Sequence, residues 1–196
     1  MTFIRPFAAL AIASALAGCN AAHGHAFEGT PLSESAAPAI SLTSSDGSAW
    51  TLESARGKVV ALFFGYTHCA DTCPLTLAKL AAAIVEQGSA ASDFEIVFVT
   101  VDPQRDTPTV LKRYIAKFPG APIVALTGSV GEVHDVERAY HVWAQKIPGA
   151  RRGAGRYDEA HSSVVYLIDR AGRERVLHND DDDVSSFASD LRALRR

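Results

Sequence analysis

The seven residues Lys58-Val59-Val60-Ala61-Leu62-Phe63-Phe64 constrain this chain more than any other stretch. After Lys58 the run has no polar alternation, and it is too short for a buried helix. It therefore reads as a central strand covered on both faces. The residues beyond it alternate between helix and strand patterns. Leu75, Leu77, Leu80, Ala81, Ile84 and Val85 form a broad apolar face on a helix from Pro74 to Gln87, and Phe94 to Val101 is a second strand. Thr107 caps a helix that has Pro108 in its first turn and runs to about Phe118. Ile123 to Leu126 reads as a short strand, and Ser129 caps a helix through Tyr140. Val164 to Ile168 is a strong strand joined through the turn Asp169–Gly172 to Arg175–Leu177. Asn179 and the aspartates after it open a last helix to about Leu194. Before all of these, Ile40–Thr43 and Ala49–Leu52 alternate in polarity around Asp46-Gly47, a hairpin signal. Strands alternating with helices predict an α/β domain with a central mixed sheet between helical layers.

The chain has 196 residues, 47% of them hydrophobic, and a formal net charge of −3. No basic surplus exists to neutralise phosphates, which argues against a nucleic-acid partner. Part of the apolar share belongs to an address. Arg5 precedes an apolar run from Pro6 to Ala17. Twelve helical residues span about 18 Å, short of the roughly 30 Å hydrocarbon core, so the run reads as a signal segment and not a span. Its end, Leu16-Ala17-Gly18-Cys19, resembles a bacterial lipobox, in which the cysteine is lipidated and becomes the first mature residue. The expected organisation is a lipoprotein signal peptide over 1–18, a tether over 19–38 and one domain over 39–196. This places the domain in the bacterial cell envelope, lipid-anchored to a membrane and outside the cytoplasm. The tether is rich in Ala, Ser, Gly and Pro, and its His23 and His25 read as solvated.

Cys69 and Cys73 sit where the first buried strand gives way to a helix, the edge at which α/β sheets bind ligands. Their spacing of four puts both sulfurs on one face if the first turn is helical. The positive helix end favours thiolates. Pro74 suits a first turn because its missing N–H has no intrahelical partner there. Two such thiolates can bind a soft metal such as Cu(I), or close into a disulfide and exchange electrons. A purely structural disulfide across three intervening residues closes too small a loop to contribute much chain entropy. A metal held by two sulfurs needs a third ligand, and the histidines that could supply it are His68, His134, His141, His161 and His178. His161 is favoured because it directly precedes the strongest late strand, in a loop able to fold back toward the cysteines.

The segment Gly65-Tyr66-Thr67-His68-Cys69-Ala70-Asp71-Thr72-Cys73-Pro74 resembles the Cys-x-x-x-Cys-Pro signature of the Sco/SenC family of copper-binding assembly proteins. Asp102-Pro103-Gln104-Arg105-Asp106-Thr107-Pro108 is similar to that family's second signature, and His161-Ser162 before Tyr166-Leu167-Ile168-Asp169 to its third. The resemblance runs from about residue 26 to the end. It implies a thioredoxin-like fold, a membrane tether, and copper held by Cys69, Cys73 and His161. It also implies delivery of copper to the CuA centre of cytochrome c oxidase or another cuproprotein, or reduction of that centre's cysteines, with a thiol reductant as a further partner. Two positions depart from the pattern. Ala70 stands where many relatives have Pro, and Ala160 precedes His161 where the family often has Asp; Asp158 and Glu159 lie close by.

The leading expectation is a copper metallochaperone. The alternative is a thiol–disulfide reductase, whose chemistry needs Cys69 and Cys73 but not His161. A thiol peroxidase on the same fold would show peroxide turnover. The stretch 102–108 reads as loop architecture beside the site, and Asp180–Asp183 as a solvated run complementing a helix dipole.

Overall fold

The structure, a computed structural model, describes residues 26–148 and 157–196. The signal segment 1–18, Cys19, His23 and His25 lie outside the described residues. The described strands are β1 (Thr30–Pro31), β2 (Ser41–Ser44), β3 (Ala49–Thr51), β4 (Val59–Gly65), β5 (Phe94–Thr100) and β6 (Ile123–Thr127). Further along come β7 (Ala144–Pro148), β8 (Tyr157–His161), β9 (Val164–Ile168) and β10 (Glu174–Asn179). Four α-helices accompany them: α1 (Thr72–Val85), α2 (Pro108–Ile115), α3 (Val130–Ala139) and α4 (Val184–Leu194).

Every residue of β4 and β5 is buried, as strands covered on both faces must be. They pair in parallel from Val59 against Phe94 to Gly65 against Thr100, and β6 continues the parallel block beside β5. Strand β9 runs antiparallel along the other side of β4, and β10 antiparallel to β9. The main sheet has the order β1-β10-β9-β4-β5-β6-β2-β3, a mixed sheet flanked by helices in the thioredoxin-like manner. Helix α1 turns Leu77, Leu80 and Ile84 into the core and packs against α4, while α2 lies over β6. Each fully buried Leu or Ile stabilises the fold by about 2 kcal/mol.

Local chemistry explains most boundaries. The β2–β3 turn uses the left-handed φ of +90° at Gly47, with Asp46 accepting from the Ser48 amide at 2.9 Å. Thr107 accepts from the Val110 amide to cap α2, and Ser129 and Glu132 form a reciprocal capping box on α3.

Three regions differ from the sequence reading. Residues 28–37, expected within the tether, lie along the domain. The amides of Glu28 and Gly29 donate to Asp190, β1 pairs with β10, and the Ala37 amide donates to the Gly172 carbonyl. These bonds run from the segment's backbone to a carboxylate of α4, to the sheet edge and to the turn after β9, which composition does not report. The last helix begins at Val184 and not at Asn179, because Asn179 completes β10 and Asp183 is the cap, accepting from the Ser186 amide. Finally, β7 and β8 form a separate antiparallel pair where no hairpin was expected. Among the described residues no helix is long and apolar enough to cross a membrane.

Candidate metal centre

Strands β4 and β5 end side by side at Gly65 and Thr100, and the chain after Gly65 must turn at once into α1. Gly65 carries no side chain there for a steric reason. A Cβ would stand 2.8 Å from the Phe98 ring and 2.9 Å from Cys73 Sγ. The loop folds through a bond from the Cys69 amide to the Tyr66 carbonyl. The N-cap residue Asp71 makes no side-chain cap bond, and Cys69 Sγ takes up an amide of the first turn instead, that of Cys73, at 3.4 Å. The two cysteines are not joined in a disulfide; Cys69 is half-buried and Cys73 fully buried.

The two sulfurs divide one proton unequally. The Cys69 thiol is held down at about 5, chiefly by the hydrogen bond it receives from Cys73, with burial opposing and amides of the helix start assisting. Cys73 is pushed far up by that same bond, by burial and by repulsion from its neighbour's charge. An exposed-side thiolate thus sits beside a buried thiol.

The structure brings His161 to this pair from the far end of β8. Its Nε2 lies 3.6 Å from Cys73 Sγ, and its Nδ1 lies 3.0 Å from the Ser162 carbonyl oxygen. A carbonyl only accepts, so Nδ1 donates, and in the neutral ring the lone pair belongs to Nε2, the atom that faces the sulfur. The Tyr66 ring meets the imidazole edge-on at 5.8 Å.

Side chains missed by sequence reasoning hold this arrangement. Asp106 is buried and accepts from the Thr67 amide (2.9 Å), the Thr67 hydroxyl (2.5 Å) and the Thr100 hydroxyl (2.7 Å), tying the cysteine loop to the end of β5. Burial nonetheless keeps its carboxyl above the ordinary range. Asp102 binds Arg105 and accepts from the Tyr157 hydroxyl at 2.7 Å. Arg105 donates to the Tyr157 carbonyl and stacks 3.7 Å above the Tyr157 ring. The Tyr66 hydroxyl donates to Asp158 at 2.5 Å. The stretch 102–108 is loop architecture, and its work is to hold the β7–β8 hairpin that carries His161. Tyr66 and Arg105 lie within the first two motifs and Tyr157 four residues before His161, but nothing in the sequence pairs them.

The remaining histidines go elsewhere. His68 is partly exposed, 3.8 Å from an Asp106 oxygen; His134 lies on α3, 3.9 Å from Glu137; His141 takes a left-handed φ of +54° just after α3. His178 is buried between Asp182 (2.7 Å) and Asp190 (3.0 Å). Within the expected acidic run, Asp182 and Asp183 therefore have defined partners. Among the described residues no three His, Cys, Asp or Glu side chains already enclose a metal-sized point. Two sulfurs and an imidazole lone pair are the donors a soft, low-coordinate ion prefers.

The model of the family described as SCO1/SenC matches residues 30–196. The chain belongs to that family. The mitochondrial SCO1 homolog 1 of Arabidopsis thaliana is 39% identical over 131 residues, covering 66% of this chain and 38% of the relative. An SCO2-like protein of Rickettsia prowazekii is 35% identical over 132 residues, covering 67% of this chain and 63% of the relative. The chain thus spans less than two thirds of the length of these curated relatives. Bradyrhizobium japonicum ScoI, solved with copper bound, superposes with a TM-score of 0.73 at 34% identity, covering 82% of this chain and 99% of that one. The thioredoxin-like SCO1/SenC fold accounts for the sheet order.

Proposed function

We propose that this chain is a copper metallochaperone that holds Cu(I) between Cys69, Cys73 and His161 and delivers it to the CuA centre of cytochrome c oxidase. Copper is its cargo. The observation that carries the reading is the His161 ring, pinned through Nδ1 so that Nε2 faces the sulfur of Cys73 at 3.6 Å. The copper-bound ScoI relative supports the choice of metal. Loading at neutral pH displaces mainly the Cys73 proton, since Cys69 is already a thiolate. Release proceeds by ligand exchange: thiolates of the acceptor take the ion, and a proton returns to Cys73. The acceptor is a membrane oxidase subunit, and lipidation at Cys19 would keep donor and acceptor on the same bilayer in the cell envelope.

A competition titration with a Cu(I) chelator tests the site. Cys69→Ala and His161→Ala should each weaken binding by about tenfold or more, as expected for losing a metal contact. Retention of full affinity in either variant overturns the assignment.

One observation favours a second reading. A partly exposed thiolate beside a buried thiol is also the arrangement of a dithiol reductant, in which Cys69 attacks a partner disulfide and Cys73 resolves the mixed disulfide. In that case His161→Ala leaves reduction of the acceptor's cysteines intact and abolishes only copper transfer.

A further inference from the structure

The end of the sheet opposite the metal centre carries an unexplained concentration of arginines. Strand β9 runs back along β4, with Val165 opposite Phe63 and Ile168 opposite Val60. The turn after β9 therefore lies beside the start of β4, while Cys69 and Cys73 come after its end. The two ends are separated by the seven residues of β4, about 20 Å. At the far end a cleft of about 520 Å³ is lined by Phe27, Arg170, Arg173, Arg175 and Arg196 together with the carboxylates of Glu34 and Asp169. Arg56 reaches the turn at Gly172, and Arg192 and Arg195 belong to the end of α4 that borders the cleft. The available carboxylates are few. Glu53 takes Arg56, Glu34 and Asp169 share Arg173 and Arg175, and Asp93 takes Arg195. Among the described residues, Arg170, Arg192 and Arg196 hold no carboxylate; Arg170 donates to the Gly57 and Arg195 carbonyls, which leaves Arg192 and Arg196 as the uncommitted pair. The chain as a whole is net acidic, at −3, so this surplus is a local feature.

The same cleft is where the N-terminal segment joins the domain. Phe27 forms part of its wall, with the Arg175 guanidinium 5.7 Å from the ring centroid. Cys19 is eight residues upstream, a reach of at most about 28 Å in extended chain. A domain lipidated at Cys19 cannot move this surface far from the bilayer. Planar guanidinium groups bind phosphate oxygens in pairs.

We infer that this arginine cleft docks on the anionic phospholipid headgroups of the membrane to which the chain is tethered. The inference rests on the anchoring at Cys19 proposed above. Docking turns β4 away from the bilayer and presents Cys69, Cys73 and His161 on the side facing a partner's extramembrane domain. Each unpaired arginine at an anionic surface strengthens attachment by about fivefold, an effect that salt screens.

The test uses the full lipidated chain on vesicles of phosphatidylcholine alone and of phosphatidylcholine with phosphatidylglycerol, read by amide hydrogen exchange. Amides of residues 170–176 and 192–196 should exchange about fivefold or more slowly on the anionic vesicles. That protection should vanish at high salt and in Arg192→Glu/Arg196→Glu, with the protein still attached and its Cu(I) affinity unchanged. Equal exchange on both vesicle types with the protein attached overturns the docking. So does protection that tracks protein concentration and not lipid charge, which would mean that a second copy covers the cleft. Failure to attach to phosphatidylcholine vesicles counts against the anchor alone; the effect of phosphatidylglycerol on exchange in that sample still decides the docking.

Discussion

Alkylation of the reduced, metal-free protein by iodoacetamide, followed by mass spectrometry across pH, reads the proton division between the two cysteines directly. Cys69, held at about 5, stays a thiolate until the pH falls through that value, and its reactivity should be lost there. At pH 6 such a group is about 90% ionised, against about 0.3% for an ordinary thiol near 8.5, a ratio of roughly 300. A less basic thiolate is also a weaker nucleophile. A Brønsted slope of about 0.45 over about 3.5 pH units costs roughly 40-fold. Cys69 should therefore react about 7- or 8-fold faster than a model thiol at pH 6 and at about the same rate at pH 7. The diagnostic quantity is the midpoint of the profile and not the rate at neutrality. Cys73, buried and pushed up, should stay unmodified throughout. In Cys73→Ala the chief cause of the lowering is gone, so the Cys69 midpoint should rise by about one unit or more. A wild-type midpoint above pH 7.5, or one that Cys73→Ala leaves in place, refutes the reasoning.

Packing sets two further outcomes. Gly65→Ala places a methyl against Phe98 and Cys73 Sγ, so it should cost about 1–3 kcal/mol in urea unfolding and weaken Cu(I) binding by displacing the sulfur; a variant as stable and as tight as the wild type would count against this account of the glycine. Asp190→Ala strips His178 of one carboxylate and the Glu28 and Gly29 amides of their acceptor, at an expected cost of about 3–5 kcal/mol. Hydrogen exchange at Glu28 and Gly29 should rise with it, and a cost below about 1 kcal/mol would show that the cluster does not hold the N-terminal segment.

Elements whose own residues carry the pattern were legible in sequence. Strand β4 is apolar along its length and β5 is apolar apart from Glu95 and its terminal Thr100, α1 repeats Leu on one face, and Thr107 and Ser129 are caps by residue type. The cysteine pair at the strand–helix junction was legible because chemistry and position coincide. What stayed hidden depends on partners distant in sequence. The β7–β8 hairpin is largely exposed and polar, and it is held by bonds from Tyr157 to Asp102 and from Tyr66 to Asp158, which span 55 and 92 positions. Residues 28–31 attach through backbone to Asp190 and β10, so their side chains announce nothing. The acceptor for His161 Nδ1 is likewise a backbone carbonyl, that of Ser162, although the carboxylates of Asp158 and Glu159 stand close by in sequence.

The separateness of the hairpin has a kinetic meaning. A two-stranded hairpin is marginal in water, and β7–β8 borrows its order from a few side-chain bonds made by Tyr157 and Asp158 at its loop-ward end. A ligand bridging Cys73 and His161 adds one more strut, so occupancy and hairpin order must rise together by mass action. His161 stands at the hairpin's base opposite Ala144, so loosening the Tyr157 and Asp158 bonds frees the strand that carries it, and the dwell time of that ligand falls with hairpin order as well as with its bonds to sulfur. An incoming acceptor that pries at Tyr157 or Arg105 would shorten that dwell without touching a sulfur, so that grip and release are tuned from different places.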